Sequence, residues 1–523
     1  MPHRMRIAFA SAELSPWAST GGLGEVAAAL PKALAAAGCD VAVFVPLYRT
    51  VKLAVLQRSG RLVDTGVLSS VWIAGYRLES RIFRLFSAEE LRERAGHAGR
   101  PEAWSHADDA PESASGPRNS GRLRFFAVDC PVLYDREGIY GHVDEPARFS
   151  NFARAVLNTA SNLLGGPPDV VHGHDWHAAL LPVYLYGPYR HLLPRTAAVL
   201  TIHNLAYQGV FSASELASIG LDPALFRPDL LEFHGLLNWM KGGICAADVV
   251  TTVSPRYAAE IRTSEFGERL EGVLSYHDRK LVGILNGIDT DVWNPQTDKY
   301  LPARFSADDL TGKHQCRAAI LKMARMDPSD PHPVLGVVSR LNVQKGLDLL
   351  ADLVPYLAAR SVRLLLLGSG DQALQNRFEQ LERDFPRHVR VRIGFEPDLA
   401  HLLQGAADAI VMPSRYEPCG LSQMYAMRYG TIPIVRAVGG LADTVVPLTP
   451  RSGREQTATG FNYDHDTHKG LQWAIDRALD TFYTDKPSWQ NMQQTGMTTD
   501  FSWALSAQQY IKVYRIAMHR ARE

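Results

Sequence analysis

The sequence predicts an α/β protein of two doubly wound, Rossmann-like domains, and three observations predict it. Short β-branched apolar runs recur along the chain, each leads through a turn signal into a helical period, and the runs fall into two series. The first series occupies residues 6–10, 41–46, 123–128, 169–172, 197–202, 249–253 and 281–285. The second occupies 334–339, 363–367, 389–393, 409–412 and 432–435. Between them, residues 294–309 are rich in Pro, Asp and polar residues without a period, which places the domain junction near residue 300. Residues 1–300 then form the first domain and 301–490 the second, with a helix over 491–523 carrying Trp503, Tyr510 and Tyr514. Residues 96–121 replace the apolar period with Gly, Pro, Ser, Ala and charges, the composition of a mobile insertion.

Composition narrows the function. The 523 residues carry 55 Lys plus Arg and 55 Asp plus Glu, a net charge of zero, and no basic block, which argues against nucleic acid or an anionic membrane as partner. The opening MPHRMRIAFASAEL is short and strand-like, so it reads as neither signal peptide nor membrane anchor. Five separated cysteines without a C-x-x-C pair suit reduced thiols in the cytoplasm.

In open α/β sheets ligands bind beyond the carboxyl ends of the strands. After the first run comes Ser11–Val26 with Gly21, Gly22 and Gly24 opening a helix over 25–37, where bare backbone amides favour an anion. Gly22, Gly24 and Ala27 match G-x-G-x-x-A formally. About ten residues separate them from the strand, and the second strand ends in Pro46 rather than an acid, so a nicotinamide site is disfavoured. Two further anion candidates are 339–346, with Arg340 and Lys345, and 368–371. Glu417, in Pro413–Gly420, sits at a strand-to-helix turn as either a functional carboxylate or a helix cap. Cys419 has no histidine beside it and reads as a packing residue. His172, His174 and His177 with Asp175 form HGHDWH, open to a metal reading or to hydrogen bonding. His203 and Asn204 end a neighbouring strand, and together these groups form a fan of donors and acceptors suited to sugar hydroxyls.

The motifs STGGLGEV (19–26), LYDREGIYG (133–141), HDWH (174–177), TIHNLAYQG (201–209), TVSP (252–255), NGID (286–289), SRLNVQKGLD (339–348), EPCGL (417–421) and GGLADTV (439–445) resemble bacterial glycogen and plant starch synthases, in family order. The resemblance implies a GT-B fold, two Rossmann-like domains facing a deep cleft with the C-terminal helix crossing back to the first. It implies retaining transfer of glucose from ADP-glucose, or UDP-glucose, to the 4-hydroxyl of an α-1,4-glucan, with no cofactor and no metal. It assigns Arg340 and Lys345 to the leaving diphosphate and Glu417 to the donor sugar, with Cys419 and Gly420 beside it. His174 and Asn238 fall on the sugar side, Tyr134 and Asp144 on the acceptor side, and Gly21 and Gly22 in the loop approaching the diphosphate. Two departures stand out: Ser19 replaces the family lysine and Glu25 the aspartate, and the segment before Arg148-Phe149 reads Asp144-Glu145-Pro146-Ala147. They keep open a catalytically weak glucan-binding homologue, or a transferase with altered donor or small acceptor. Tyr425, eight residues after Glu417, stands where broader E-x7-E transferases have a second glutamate.

Overall fold

The structure is a computed structural model describing residues 4–87, 90–91 and 121–523; the insertion expected over 96–121 lies outside them apart from Gly121. Contacts divide the chain into two compact units. The first comprises residues 1–253, 258–284 and 503–523, and the second 254–257 and 285–502.

The first unit is built on β1 (Arg6–Ala10), β2 (Asp40–Pro46), β3 (Arg61–Ile73), β4 (Tyr76–Phe86), β5 (Leu123–Asp129), β6 (Val170–His174) and β7 (Ala197–Ile202). A small antiparallel sheet follows from β8 (Val210–Ser212), β9 (Glu232–Phe233) and β10 (Leu236–Asn238), and then β11 (Val249–Thr252) and β12 (Leu281–Gly283) rejoin the main sheet. Its order is β12-β11-β7-β6-β1-β2-β5-β4-β3. All pairs are parallel except those made by the β3–β4 hairpin and by β4 with β5. The interior strands read as unbroken apolar runs because helices bury both faces. The hairpin has the opposite character: alternate residues of β3 such as Ser70 and Trp72 face solvent, so it gives no continuous apolar signal.

In the second unit β13 (Val334–Val338), β14 (Arg363–Gly368), β15 (Val389–Ile393), β16 (Ala409–Met412), β17 (Ile432–Arg436) and β18 (Phe461–Tyr463) form one parallel sheet. Its order is β15-β14-β13-β16-β17-β18. Helices Leu347–Ala359 and His468–Thr484 cover one face with Leu350, Val354, Leu471 and Ile475. Helices Thr311–Met323 and Pro397–Ala406 cover the other with Cys316, Ile320, Leu402 and Leu403.

The chain passes into the second unit at 284–285, earlier than the junction expected near 300. The polar stretch belongs wholly to the second unit because its few apolar residues, Leu301 and Phe305, enter the core there. At the other end, helix Trp503–Arg520 packs on helix Gly22–Ala36 and β7 in the first unit.

Both sheets share one logic. Numbered within each unit, the parallel strands run in the doubly wound order with a reversal between β1 and β6, and again between β13 and β16. At such a reversal adjacent loops diverge and leave a crevice at the carboxyl ends.

Candidate active site

At the second reversal, two loops leave adjacent strands. The loop after β13 carries Arg340 and Lys345; the turn after β16 carries Glu417. Lys345 Nζ donates to Glu417 Oε2 at 2.5 Å, with the lysine side chain 16% and the glutamate 7% exposed. Ser414, a residue sequence reasoning passed over, donates to the same oxygen at 2.9 Å. Glu417 Oε1 has no protein partner among the described residues. The cap reading fails: the following helix Ser422–Arg428 begins at Leu421 without a side-chain cap.

The loops are stapled together. Arg415 forks onto both oxygens of Asp348 at 2.7 Å each, which holds that carboxyl below its usual range. The Arg415 amide donates to Gln344 O at 2.8 Å, and Gln344 Nε2 donates to Tyr416 O at 3.2 Å. Gly346 turns at φ +61°, and a Cβ there would stand 2.0 Å from Pro413 O. At Gly439 a Cβ would stand 1.9 Å from Glu417 O, so Gly439 and Gly440 admit the turn against their backbone. Arg340 is exposed, and its guanidinium makes no hydrogen bond or ion pair among the described residues. The site therefore holds one neutralised pair and one uncompensated cation.

Several neighbours are held by the protein itself. Cys419 is buried and its thiol is pushed up to about 12 by desolvation, which suits packing rather than nucleophilic work. Gly420 takes φ +69° beside Gln423, whose Nε2 binds the carbonyls of Cys419 and Gly420. The anion candidate 368–371 is engaged internally: Ser369 O accepts from Leu341, and Asp371 caps helix Gln372–Asp384 through Leu374. Tyr425 lies flat on Trp293, rings 3.8 Å apart, with His401 on the other face.

At the reversal in the first unit, Gly21 precedes helix Gly22–Ala36 in extended backbone (φ −174°), and no atom stands within 4 Å of a Cβ built on it. Gly22 is exposed. The first amides of this helix have no side-chain cap and are available to an anion. Glu13, unremarked in the sequence, fixes the loop: its carboxylate accepts from Thr20 N at 2.7 Å, Thr20 Oγ1 at 2.6 Å and the Tyr140 hydroxyl at 2.8 Å. Ser19 is exposed and donates only to Gly21 O, at 3.1 Å.

His172 and His174 share β6, and the helix Asp175–Ala178 begins immediately after. His172 is spent internally, between the Tyr514 hydroxyl at 2.8 Å and Thr201 Oγ1 at 2.6 Å. His174 Nδ1 meets His203 Nε2 at 2.9 Å, and burial pushes both imidazoles down, His203 to about 3, so both are neutral. His177 stacks on Tyr140 and Trp176. These rings are thus committed to different neighbours, and among the described residues no group of three or more His, Cys, Asp or Glu is arranged to hold a metal ion.

Three residues that the resemblance assigns to substrate have protein partners in the first unit. Tyr134 is fully buried, its hydroxyl on Arg148 O at 2.8 Å and Asn151 Oδ1 at 2.9 Å. Asn238 is also fully buried; it caps helix Trp239–Ala246 through Lys241 N at 2.9 Å and donates to Gln208 Oε1 at 2.6 Å. The side-chain oxygens of both are engaged by protein. Asp144 is half-buried and pairs with Arg136 at 2.6 Å at the start of helix Glu145–Leu164. Pro146 suits the first turn of that helix, and Glu145 accepts from Gly141 N at 2.7 Å, so the altered segment is locally well built.

Comparison with known proteins gives the class, a glycosyltransferase of the GT-B fold. A profile described as the starch synthase catalytic domain matches residues 6–276, and one described as glycosyl transferases group 1 matches 323–493. The chain is 41% identical over 518 residues to the glycogen synthase of Roseobacter denitrificans, covering 98% of this chain and 99% of that one. It is 39% identical over 523 residues to that of Dechloromonas aromatica, with the same coverage. The catalytic domain of starch synthase IV from Arabidopsis thaliana, solved bound to ADP and acarbose, superposes with TM-score 0.84 at 33% identity over 99% of both chains. The chain belongs to the glycogen and starch synthase family. Among the described residues no helix is long and apolar enough to cross a membrane.

Proposed function

We propose that this enzyme transfers glucose, with retention, from ADP-glucose to the 4-hydroxyl at the end of an α-1,4-glucan. The Lys345–Glu417 pair at the second reversal, with Arg340 uncompensated beside it, carries the reading. In the reaction the bond from glucose C1 to the β-phosphate oxygen breaks, a bond from C1 to the acceptor oxygen forms, and the acceptor proton passes to the departing diphosphate on the same face. The main demand is stabilising that leaving group, which Lys345 and Arg340 meet with charge already in place. Glu417 orients Lys345 through Oε2 and keeps Oε1 for a donor hydroxyl. In the first unit taken by itself, the uncapped amides that open helix Gly22–Ala36 suit an anion, and His174 Nε2, buried without a protein partner among the described residues, suits a sugar hydroxyl. An adenine nucleotide on the donor and a glucan as acceptor are supported by the related starch synthase solved with ADP and acarbose. The five free cysteines fit work in a reducing cytoplasm.

Incorporation of radiolabelled glucose into glycogen from ADP-glucose and from UDP-glucose tests the proposal. Faster incorporation from ADP-glucose, as α-linked product, is expected; no incorporation from either donor sinks it. Ser19 favours a second reading, a weak glucan-binding homologue, because a neutral hydroxyl turned to Gly21 O stands where the family has a cation. Glucan binding without turnover would support that reading.

A further inference from the structure

His174 is held by its surroundings with one nitrogen left over. Its ring lies 4.0 Å from Phe9 and 4.1 Å from His172, centroid to centroid. Nδ1 is taken by His203, while Nε2 is buried with no protein partner among the described residues. His203 is itself fixed through its backbone: its N–H donates to Asp175 Oδ1 at 2.7 Å, and the Asn204 N–H reaches the same oxygen at 3.3 Å. Asp175 does this from a left-handed backbone, φ +55°, a conformation that costs a non-glycine residue roughly 1–3 kcal/mol and gathers at functional sites.

A nitrogen-to-nitrogen hydrogen bond between two neutral imidazoles holds a single proton, and the two placements have opposite consequences. With the proton on His174 Nδ1, the free Nε2 is an acceptor. With it on His203 Nε2, His174 carries its own proton on Nε2 and donates. We propose that His203 is a positioning residue that fixes the tautomer and ring plane of His174, and thereby decides whether Nε2 meets a sugar hydroxyl as donor or acceptor. The inference rests on the reading of His174 as a glucose contact; the pairing does not.

The test uses the full-length enzyme labelled with ¹⁵N-histidine. His174 in the wild type should show one protonated and one unprotonated ring nitrogen, with coupling across the hydrogen bond to His203. In His203→Leu the His174 signals should move to an average of the two tautomers. kcat should fall roughly 10- to 100-fold, by analogy with losing the hydrogen-bond partner behind a metal-ligating histidine, with a smaller change in donor KM. His203→Gln, which restores a polar group able to hydrogen-bond, should recover part of kcat. A wild-type His174 already averaging between tautomers overturns the proposal, as does His203→Leu with unchanged His174 signals and kcat. Should His203→Leu fail to fold, the wild-type spectrum decides alone. An enzyme that transfers no glucose would defeat the proposed function, while its spectrum would still establish or refute the pairing.

Discussion

In the proposed mechanism Lys345 contributes charge twice, once to Glu417, where the ion pair is seen, and once to an incoming diphosphate. Lys345→Met keeps the length, removes both contributions, and leaves a carboxylate 7% exposed without its cation. Loss of roughly 10²–10³ in kcat is expected from the missing transition-state charge, with a fall of about 3 kcal/mol in unfolding free energy from the orphaned carboxylate. Steady-state kinetics beside urea denaturation separates the two, and full activity would exclude Lys345 from leaving-group stabilisation. Ser19→Lys runs the other way. Its added cation should tighten donor binding by about 1–3 kcal/mol if it reaches the diphosphate. Unchanged donor affinity and elongation rate would show that the family lysine has no counterpart role here. At this scale, Lys345, Arg340 and Glu417 were legible because charged residues directly after an apolar strand are conspicuous. Glu13 and Ser414 were not, since each is an ordinary polar residue until folding brings Thr20 and Tyr140, or Glu417, against it.

The loops after β13 and β16 are held at the spacing the ion pair needs by backbone contact as much as by side chains. Gly346 is where these two loops press together. Gly346→Ala must both relieve a Cβ placed 2.0 Å from Pro413 O and retain φ +61°. The left-handed backbone alone costs about 1–2 kcal/mol, so destabilisation of at least that size is expected, with a drop in kcat as Lys345 and Glu417 separate. Thermal unfolding and kinetics together check it; a variant as stable and active as the parent would show that the two loops yield independently. Strands β1, β7 and β16 coincide with the apolar runs read from the sequence, because buried parallel strands are apolar on both faces, while the edge strand β15, which alternates Val and Arg, coincides through its alternation. The β3–β4 hairpin escaped notice since exposed residues interrupt its apolar ones, and β18 because three residues make no pattern.

Across the whole molecule, buried imidazoles in the first unit tie stability to pH. Burial pushes His172, His174, His177 and His203 below their ordinary value, so the unfolded chain binds protons there that the fold refuses. Their contribution is complete above the unfolded value near pH 6.5 and is lost as pH falls toward the folded values. Asp175 opposes them: desolvation raises its carboxyl to about 7, so its contribution is present at low pH and is lost as pH rises through about 7. Four imidazoles outweigh one carboxyl. Each costs roughly 1 kcal/mol one pH unit below 6.5, so the urea midpoint should fall between pH 7.5 and pH 5.5. A midpoint that stays constant would mean that the four rings are not refusing protons in the fold.

Helix Trp503–Arg520 closes the first unit, with the Tyr514 hydroxyl on His172 and the helix laid along Gly22–Ala36. Tyr514→Phe should cost about 1 kcal/mol by calorimetry, and a chain stopped after residue 502 considerably more. The position of this helix also sets a schedule for biosynthesis. The ribosome must make all of residues 285–502 before the closing helix emerges, a delay on the order of ten to forty seconds at about 5–20 residues per second. Throughout that interval the nascent first unit lacks its last helix, leaving β7 and helix Gly22–Ala36 open to chaperones until the final residues arrive.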